Sequence, residues 1–388
     1  MRPVEFTAHN KITLLFRGAE FYPALIAAID AAHYEIFLET YIFALDETGL
    51  RVKDALVRAA ARGVSVNVIT DWLGTGHRQS VRLNHLLREG GVNHRVFNAW
   101  FTRGITRTHR KICVVDRHVA FLGGLNINYD YVSDDGFNTP LPAPRWDFAV
   151  QINGPLVVTI HQEMQAHWMM LTGLGLKYRW ERFMERRPMG TTLEEGPALA
   201  ALVVRDNLRN RRTIQKAYLK ALGSARKSAL LANPYFAPGR KLRDGLATAA
   251  LRGVEVTLLI GVGQFRIQDA VAHSFYPKLL RSGVRVVEYR KTQLHGKVAV
   301  VDDEWATVGS SNWDGLSLLV NQEANIVVKD RCFARDLRDQ IERAVSEGVR
   351  VRIEDYANVP WYERAWYGAA YMLYKVILRL ITLGRYTE

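Results

Sequence analysis

Ala60-Ala61-Arg62-Gly63-Val64-Ser65-Val66-Asn67-Val68-Ile69-Thr70 and Ala250-Leu251-Arg252-Gly253-Val254-Glu255-Val256-Thr257-Leu258-Leu259-Ile260 are one pattern written twice. Each copy reads as the end of a helix, a glycine that accepts the left-handed conformation needed to stop it, and an apolar strand. The repeat extends outward in both directions. Upstream lie a helical pattern, Phe21–Asp30 or Ile214–Leu222, and a strand, Glu35–Phe43 or Ala229–Phe236. Downstream a further helix closes in Gly90-Gly91-Val92 or Ser282-Gly283-Val284. Strands alternating with helices of this length predict βαβ units and a sheet covered by helices. So many landmarks in the same order predict a tandem duplication. The fold expected is α/β, a pseudo-two-fold pair of lobes, each a mixed sheet flanked by helices. The expected divisions are residues 1–185, 196–350 and a C-terminal segment 355–388, with the boundary in the charged stretch Glu181–Glu195.

Each half then delivers the same polar signature. The first is His109-Arg110-Lys111 with Asp116 and, after Phe121-Leu122-Gly123-Gly124-Leu125, Asn126. The second is His295-Gly296-Lys297 with Asp302 and, after Thr307-Val308-Gly309-Ser310-Ser311, Asn312. On a strand, residues two apart leave the same face, so each His–Lys pair points one way. Each Asp ends its apolar run in a turn and either joins the catalytic set at the substrate or orients and holds the hairpin. Where two lobes meet, two His, two Lys and two Asn would line one cleft suited to a phosphodiester. The lysines supply point charges for non-bridging oxygens, and the amides add donors where charge develops. One imidazole attacks phosphorus, and the other protonates the leaving alkoxide and then activates the incoming alcohol or water. No metal or other cofactor is called for, since the lysines fill the role of a divalent ion and no two-metal ligand set is evident. Asp147, after Trp146, and Glu323, after Gln322, each precede a strand beyond the motif. Either carboxylate could accept an imidazole N–H and fix its tautomer.

The paired His-x-Lys-x4-Asp motifs resemble those of the phospholipase D superfamily, over a stretch from about Lys11 to Val349. Leu38-Glu39-Thr40-Tyr41-Ile42-Phe43, Thr108–Lys111 with Ala120–Asn126, and Ile152-Asn153-Gly154-Pro155 are similar to bacterial cardiolipin synthases, the short B-type above all. The resemblance implies phospholipase D-like lobes and transfer of a phosphatidyl group from phosphatidylglycerol to a lipid alcohol through a phosphohistidine. It also implies that His109 is the nucleophile and His295 the acid; sequence symmetry alone does not assign them. The sequence departs in the Tyr129–Pro144 stretch, which is longer than its counterpart in the second half and reads as a lipid entrance or a plain surface loop. It departs also in having no N-terminal spanning helices of the kind longer family members carry.

Lysine and arginine outnumber aspartate and glutamate by 52 to 39, a formal charge of +13. That excess attracts polyanions, whether a bilayer, nucleic acid or a phosphate substrate. Cys113 and Cys332 are too few for a disulfide framework and lack metal-ligand spacing. Met1–Asn10 lacks a signal pattern, and no run of about 18 uncharged apolar residues predicts a spanning helix. The tail Trp361–Leu383 combines Trp, Tyr and aliphatics with Arg364, Lys375 and Arg379. Such a helix suits the interface of an anionic leaflet, or docks on the protein itself. The expected setting is peripheral, on the cytoplasmic side of an inner membrane, with no nucleic-acid partner. Three other readings remain: a lipid hydrolase, a phosphodiesterase or nuclease, and an inactive membrane scaffold.

Overall fold

A computed structural model describes residues 4–134, 138–172, 195–206 and 210–381. The expected boundary stretch therefore lies almost wholly outside the described residues. The chain divides into two compact units. The N-terminal lobe comprises the described residues of Glu5–Tyr129 and Ala149–Leu202, and the C-terminal lobe those of Asp130–Phe148 and Val203–Glu388.

The first half of the chain gives β1 (Thr7–Phe16), α1 (Arg17–Asp30), β2 (Glu35–Thr40), α2 (Glu47–Ala61), β3 (Ser65–Asp71), the short α3 (Trp72–Thr75), α4 (His77–Glu89), β4 (Asn93–Phe97), β5 (Ile112–Val115), β6 (Val119–Gly123), β7 (Phe148–Asn153) and α5 (Leu156–Thr172). The second half gives β8 (Ala198–Arg205), α6 (Thr213–Ser224), β9 (Ser228–Asn233), α7 (Arg240–Leu251), β10 (Glu255–Gly261), α8 (Arg266–Arg281), β11 (Arg285–Tyr289), β12 (Val298–Val301), β13 (Trp305–Gly309), α9 (Gly315–Leu319), β14 (Glu323–Lys329), α10 (Arg331–Glu347), β15 (Val349–Val351), α11 (Ile353–Ala357) and α12 (Trp361–Ile381).

The N-terminal lobe orders its repeated strands β7-β6-β5-β2-β3-β4 and the C-terminal one β14-β13-β12-β9-β10-β11, where β15 adds antiparallel beyond β11. In both, three parallel strands are followed by antiparallel hairpin strands. The duplication thus extends to pairing and direction. The strands that carry the motifs, β5 and β12, are buried throughout, which is why they read as unbroken apolar runs.

The repeated Arg-Gly-Val has a physical cause. Gly63 and Gly253 sit at φ 89° and 90°, where a side chain would be strained. The amides of Val64 and Val254 then bond back to the carbonyls of Ala59 and Ala249, closing each helix. Each arginine reaches the neighbouring helix end: Arg62 Nη2 donates to the carbonyls of Ile29 and Ala32, and Arg252 Nη2 to those of Leu222 and Ala225. A cation there satisfies carbonyls that the helix leaves open and complements its dipole. The N-terminal core gathers Leu25, Ile29, Leu56, Val66, Val68 and Cys113 between sheet and helices. Burial raises the Cys113 thiol far above its ordinary value, so it packs as an inert apolar group.

Candidate active site

In the N-terminal lobe His109 and Lys111 lie just ahead of β5, both buried. Lys111 Nζ donates to the carbonyl of His109 at 2.8 Å. It lies 5.2 Å from the centre of the Tyr41 ring, and that ring packs edge-on against His109 at 4.8 Å. One residue before the histidine, the Thr108 N–H donates to Asp71 Oδ2 at 2.8 Å and the Thr108 hydroxyl to Glu39. Glu39 also faces His167 Nδ1 of α5 at 3.0 Å. Burial pushes the Glu39 carboxyl up, but His167, with Arg110 and Thr108, outweighs this and leaves it below the ordinary value. Burial dominates at Asp71, whose carboxyl rises to about 6 despite three backbone donors. The backbone ahead of His109 is therefore fixed by two buried carboxylates.

The C-terminal lobe repeats the geometry and adds to it. Lys297, wholly buried, donates from Nζ to the carbonyl of His295. His295 Nδ1 lies 2.6 Å from Asp147 Oδ2, and Nε2 lies 3.0 Å from Asp134 Oδ2. Neither carboxylate comes from the second half of the sequence; both belong to Asp130–Phe148, which packs with the C-terminal lobe. The amides of His295 and Gly296 both donate to the Trp146 carbonyl, at 2.9 and 2.8 Å. Gln293 Nε2 donates to Asp134 at 2.6 Å, and Arg145 bonds Asp130 at 3.1 Å. The stretch read from sequence as an entrance or surface loop is, in its described part, the frame around the second histidine.

This frame explains why the motif reads His-Gly-Lys in one copy and His-Arg-Lys in the other. A Cβ on Gly296 would come within 2.7 Å of the Trp146 ring. At the matching place Arg110 has room to reach Glu163 of α5 at 2.9 Å.

Burial raises the carboxyls of Asp147 and Asp134, yet the charge of His295, joined by Lys297 and, for Asp134, Arg145, brings both below the ordinary value. Burial pushes the Lys297 ammonium down to about 8, against the pull of Asp147, Asp134 and Glu323. Two carboxylates against the two ring nitrogens of one histidine suit a ring that donates on both sides, the imidazolium form.

Asp116 and Asp302 lie elsewhere. Asp116 accepts the N–H groups of His33, Tyr34 and Glu35 at 2.7–2.9 Å, and Asp302 those of Arg226, Lys227 and Ser228 at 2.7–2.9 Å. Both open hairpin turns with left-handed backbone, φ 50° and 54°. A five-residue strand step separates each from its lysine, roughly 16 Å at an extended rise. They anchor the start of β2 and of β9 to the hairpin. Asn126 is buried, its Oδ1 accepting from the Ile42 amide at 3.3 Å and its carbonyl from Tyr22 at 2.8 Å. Asn312 is buried too, and its Oδ1 has no hydrogen-bond partner among the described residues. Glu323, fully buried, accepts from Ser310 Oγ at 2.5 Å.

Sequence reading passed over Asp134, Glu39, Asp71 and Tyr41. Glu39 left a signal, an acid in the middle of an otherwise apolar strand. Asp134 left none, because nothing in a Pro- and Gly-bearing stretch states which half it will join.

Comparisons with known proteins bear on the family and the fold. Cardiolipin synthase B of Escherichia coli strain K12 is 39% identical over 344 residues, covering 87% of this chain and 81% of that protein. Cardiolipin synthase B of Salmonella typhimurium is 39% identical over 340 residues, 86% and 80% respectively. Among solved structures, the phosphatidylserine synthase of Haemophilus influenzae superposes with a TM-score of 0.68 over 96% of both chains at 15% identity, a likeness of fold. The family model described as "Cardiolipin synthase, PLD-like domain" matches residues 25–166 and 218–353, once in each half, and the chain belongs to that family.

Proposed function

We propose that the chain is a cardiolipin synthase that moves a phosphatidyl group between two phosphatidylglycerol molecules, with His109 as nucleophile and His295 as acid and base. The observation that carries the assignment is the pair of carboxylates on the two nitrogens of His295. A ring held as the imidazolium is a proton donor from the start and a poor nucleophile. His109 then attacks phosphorus, a P–N bond forms, and the P–O bond to the headgroup glycerol breaks as that oxygen, in the place of Asp134 at Nε2, takes the proton from His295. His295, now neutral, accepts the proton of a second lipid's hydroxyl. That oxygen attacks phosphorus, the P–N bond breaks, and cardiolipin and free His109 result. Lys111 and Lys297 hold the non-bridging oxygens, with Asn126 and Asn312 as further polar contacts. Asp147 steadies the imidazolium, and Glu323 supports the lysine charge. Asp116 and Asp302 serve by fixing the strand that carries each His–Lys pair.

Peripheral attachment to the cytoplasmic face of an inner membrane is part of the same reading. Among the described residues no helix is long and apolar enough to span a bilayer. α12 instead has two faces. Tyr367, Ala370, Tyr371, Tyr374 and Leu378 face the protein, with Tyr371 against Phe275 and the Tyr374 hydroxyl accepting from the Gly315 amide at 2.6 Å. Tyr362, Trp366, Leu373, Val376, Ile377 and Leu380 face outward. An exposed apolar stripe beside Arg364, Lys375 and Arg379 fits the headgroup layer of an anionic bilayer.

The test is incubation of the purified chain with phosphatidylglycerol vesicles in the presence of a chelator, with mass spectrometry of the lipids. Cardiolipin and free glycerol are expected. Phosphatidic acid alone would make the enzyme a hydrolase, and an unchanged lipid pool with cleavage of bis-nitrophenyl phosphate would remove lipid as the substrate.

A further inference from the structure

Between β4 and the first motif the chain makes a turn whose conformation is costly. Asn98, Trp100 and Phe101 lie at φ 54°, 56° and 55°, left-handed backbone in three residues that are not glycine. Each costs on the order of 1 kcal/mol. The buried Asn98 side chain holds the turn: its Nδ2 donates to the carbonyls of Gly104 and Thr106, both at 2.7 Å, and its Oδ1 accepts the Arg103 amide at 2.6 Å. A loop wound around one amide displays a fixed set of side chains.

What it displays is apolar. Trp100 is 71% exposed, Phe101 51% and Ile105 43%, and the adjacent Leu73 and Val81 are exposed as well. Trp100 packs at a tilt against Trp72 and His77, ring centres 4.8 and 4.9 Å apart, so the outer tryptophan is braced. Beside the loop runs a groove of about 500 Å³ lined by Trp72, Trp100, Leu171, Arg88, Arg95 and Arg103. From Trp72 to Arg107 the sequence holds six arginines and one acid, Glu89. Arg78, Arg82, Arg88, Arg95 and Arg103 are all exposed.

We infer that the Asn98–Thr106 loop is an interfacial wedge: Trp100, Phe101 and Ile105 enter the outer layer of an anionic bilayer while the surrounding arginines take lipid phosphates, and so lipid is delivered to His109 three residues further on. The inference rests on the reading that the substrate is a bilayer lipid, and it adds a contact independent of α12. Trp and Phe beside aliphatic side chains and arginine are the composition of a membrane interface. Charge complementarity selects an anionic leaflet. Single-stranded nucleic acid would use the rings and arginines, but Ile105, Leu73 and Val81 offer its bases nothing to stack on.

The experiment compares the full-length wild type with the double variant Trp100→Ser/Phe101→Ser. Three quantities are read: sedimentation with phosphatidylglycerol vesicles, turnover of phosphatidylglycerol in those vesicles, and turnover of dihexanoyl phosphatidylglycerol as dispersed monomers. Thermal melting of both proteins checks the fold. Vesicle association and vesicle turnover are expected to fall about tenfold or more, with turnover of the monomeric lipid within about twofold of wild type. Unchanged vesicle association overturns the wedge. So does an equal loss on monomeric and vesicle substrate, which would make the loop a brace for the motif. So does loss of binding to a single-stranded oligonucleotide, titrated alongside, with vesicle binding intact. If the wild type turns over neither lipid yet its vesicle association still requires Trp100 and Phe101, the proposed function fails and the wedge stands.

Discussion

Asp147 meets His295 Nδ1 at 2.6 Å, and the histidine together with Lys297 holds its buried carboxyl below the ordinary value. Asp147→Asn keeps the shape and removes the charge that favours the imidazolium. We expect kcat to fall by about a thousandfold with KM little changed, and steady-state kinetics on dispersed lipid to show it. Lys297 offers a pH signature. Burial brings its ammonium down to about 8, so the charge is complete below that value and is lost as pH rises through it. Turnover should therefore decline from about pH 8 upward, and Lys297→Arg, which stays charged, should move that decline to higher pH. An alkaline limb unmoved in the arginine variant would show that Lys297 does not set it. At this scale the sequence spoke clearly where spacing carries geometry: a histidine and a lysine two apart at the entry to a buried strand, stated twice. It was silent on Asp134, whose partner is set by tertiary packing of an aperiodic stretch.

Elements were legible for the same reason. Helix ends at Gly63 and Gly253, and at Gly91 and Gly283, are announced by a residue type that the backbone there requires. The strand between Val64 and Thr70 is announced by an apolar run, found one residue along as β3. The tail was ambiguous because one apolar stripe cannot say what it faces, and α12 turns out to carry one stripe inward and another outward. The two are separable by mutation. Leu373→Ser with Ile377→Ser alters only the outward stripe and should reduce vesicle association severalfold without lowering the melting temperature. Leu378→Ala opens a gap against Gly315 and should cost about 2–4 kcal/mol in chemical unfolding. Equal effects of the two on melting would deny the division of faces.

For the whole molecule, a repeat read from sequence suggests halves that are self-sufficient, and the segregation of Asp130–Phe148 removes that symmetry. The described part of this segment was made before the second half of the chain and belongs to the lobe that half builds. A fragment starting at residue 196 carries the whole second motif but lacks Trp146, to whose carbonyl His295 and Gly296 bond, and both carboxylates of His295. It should melt at a markedly lower temperature than the intact chain, and supplying residues 130–148 as a fused segment should recover part of the difference. The ancestral duplication is thus no longer reversible by scissors. During synthesis an early stretch must wait, unpartnered, for a late one, so an enzyme with half its chain translated holds no finished second histidine. Release of an active catalyst is in this way tied to completion of the polypeptide.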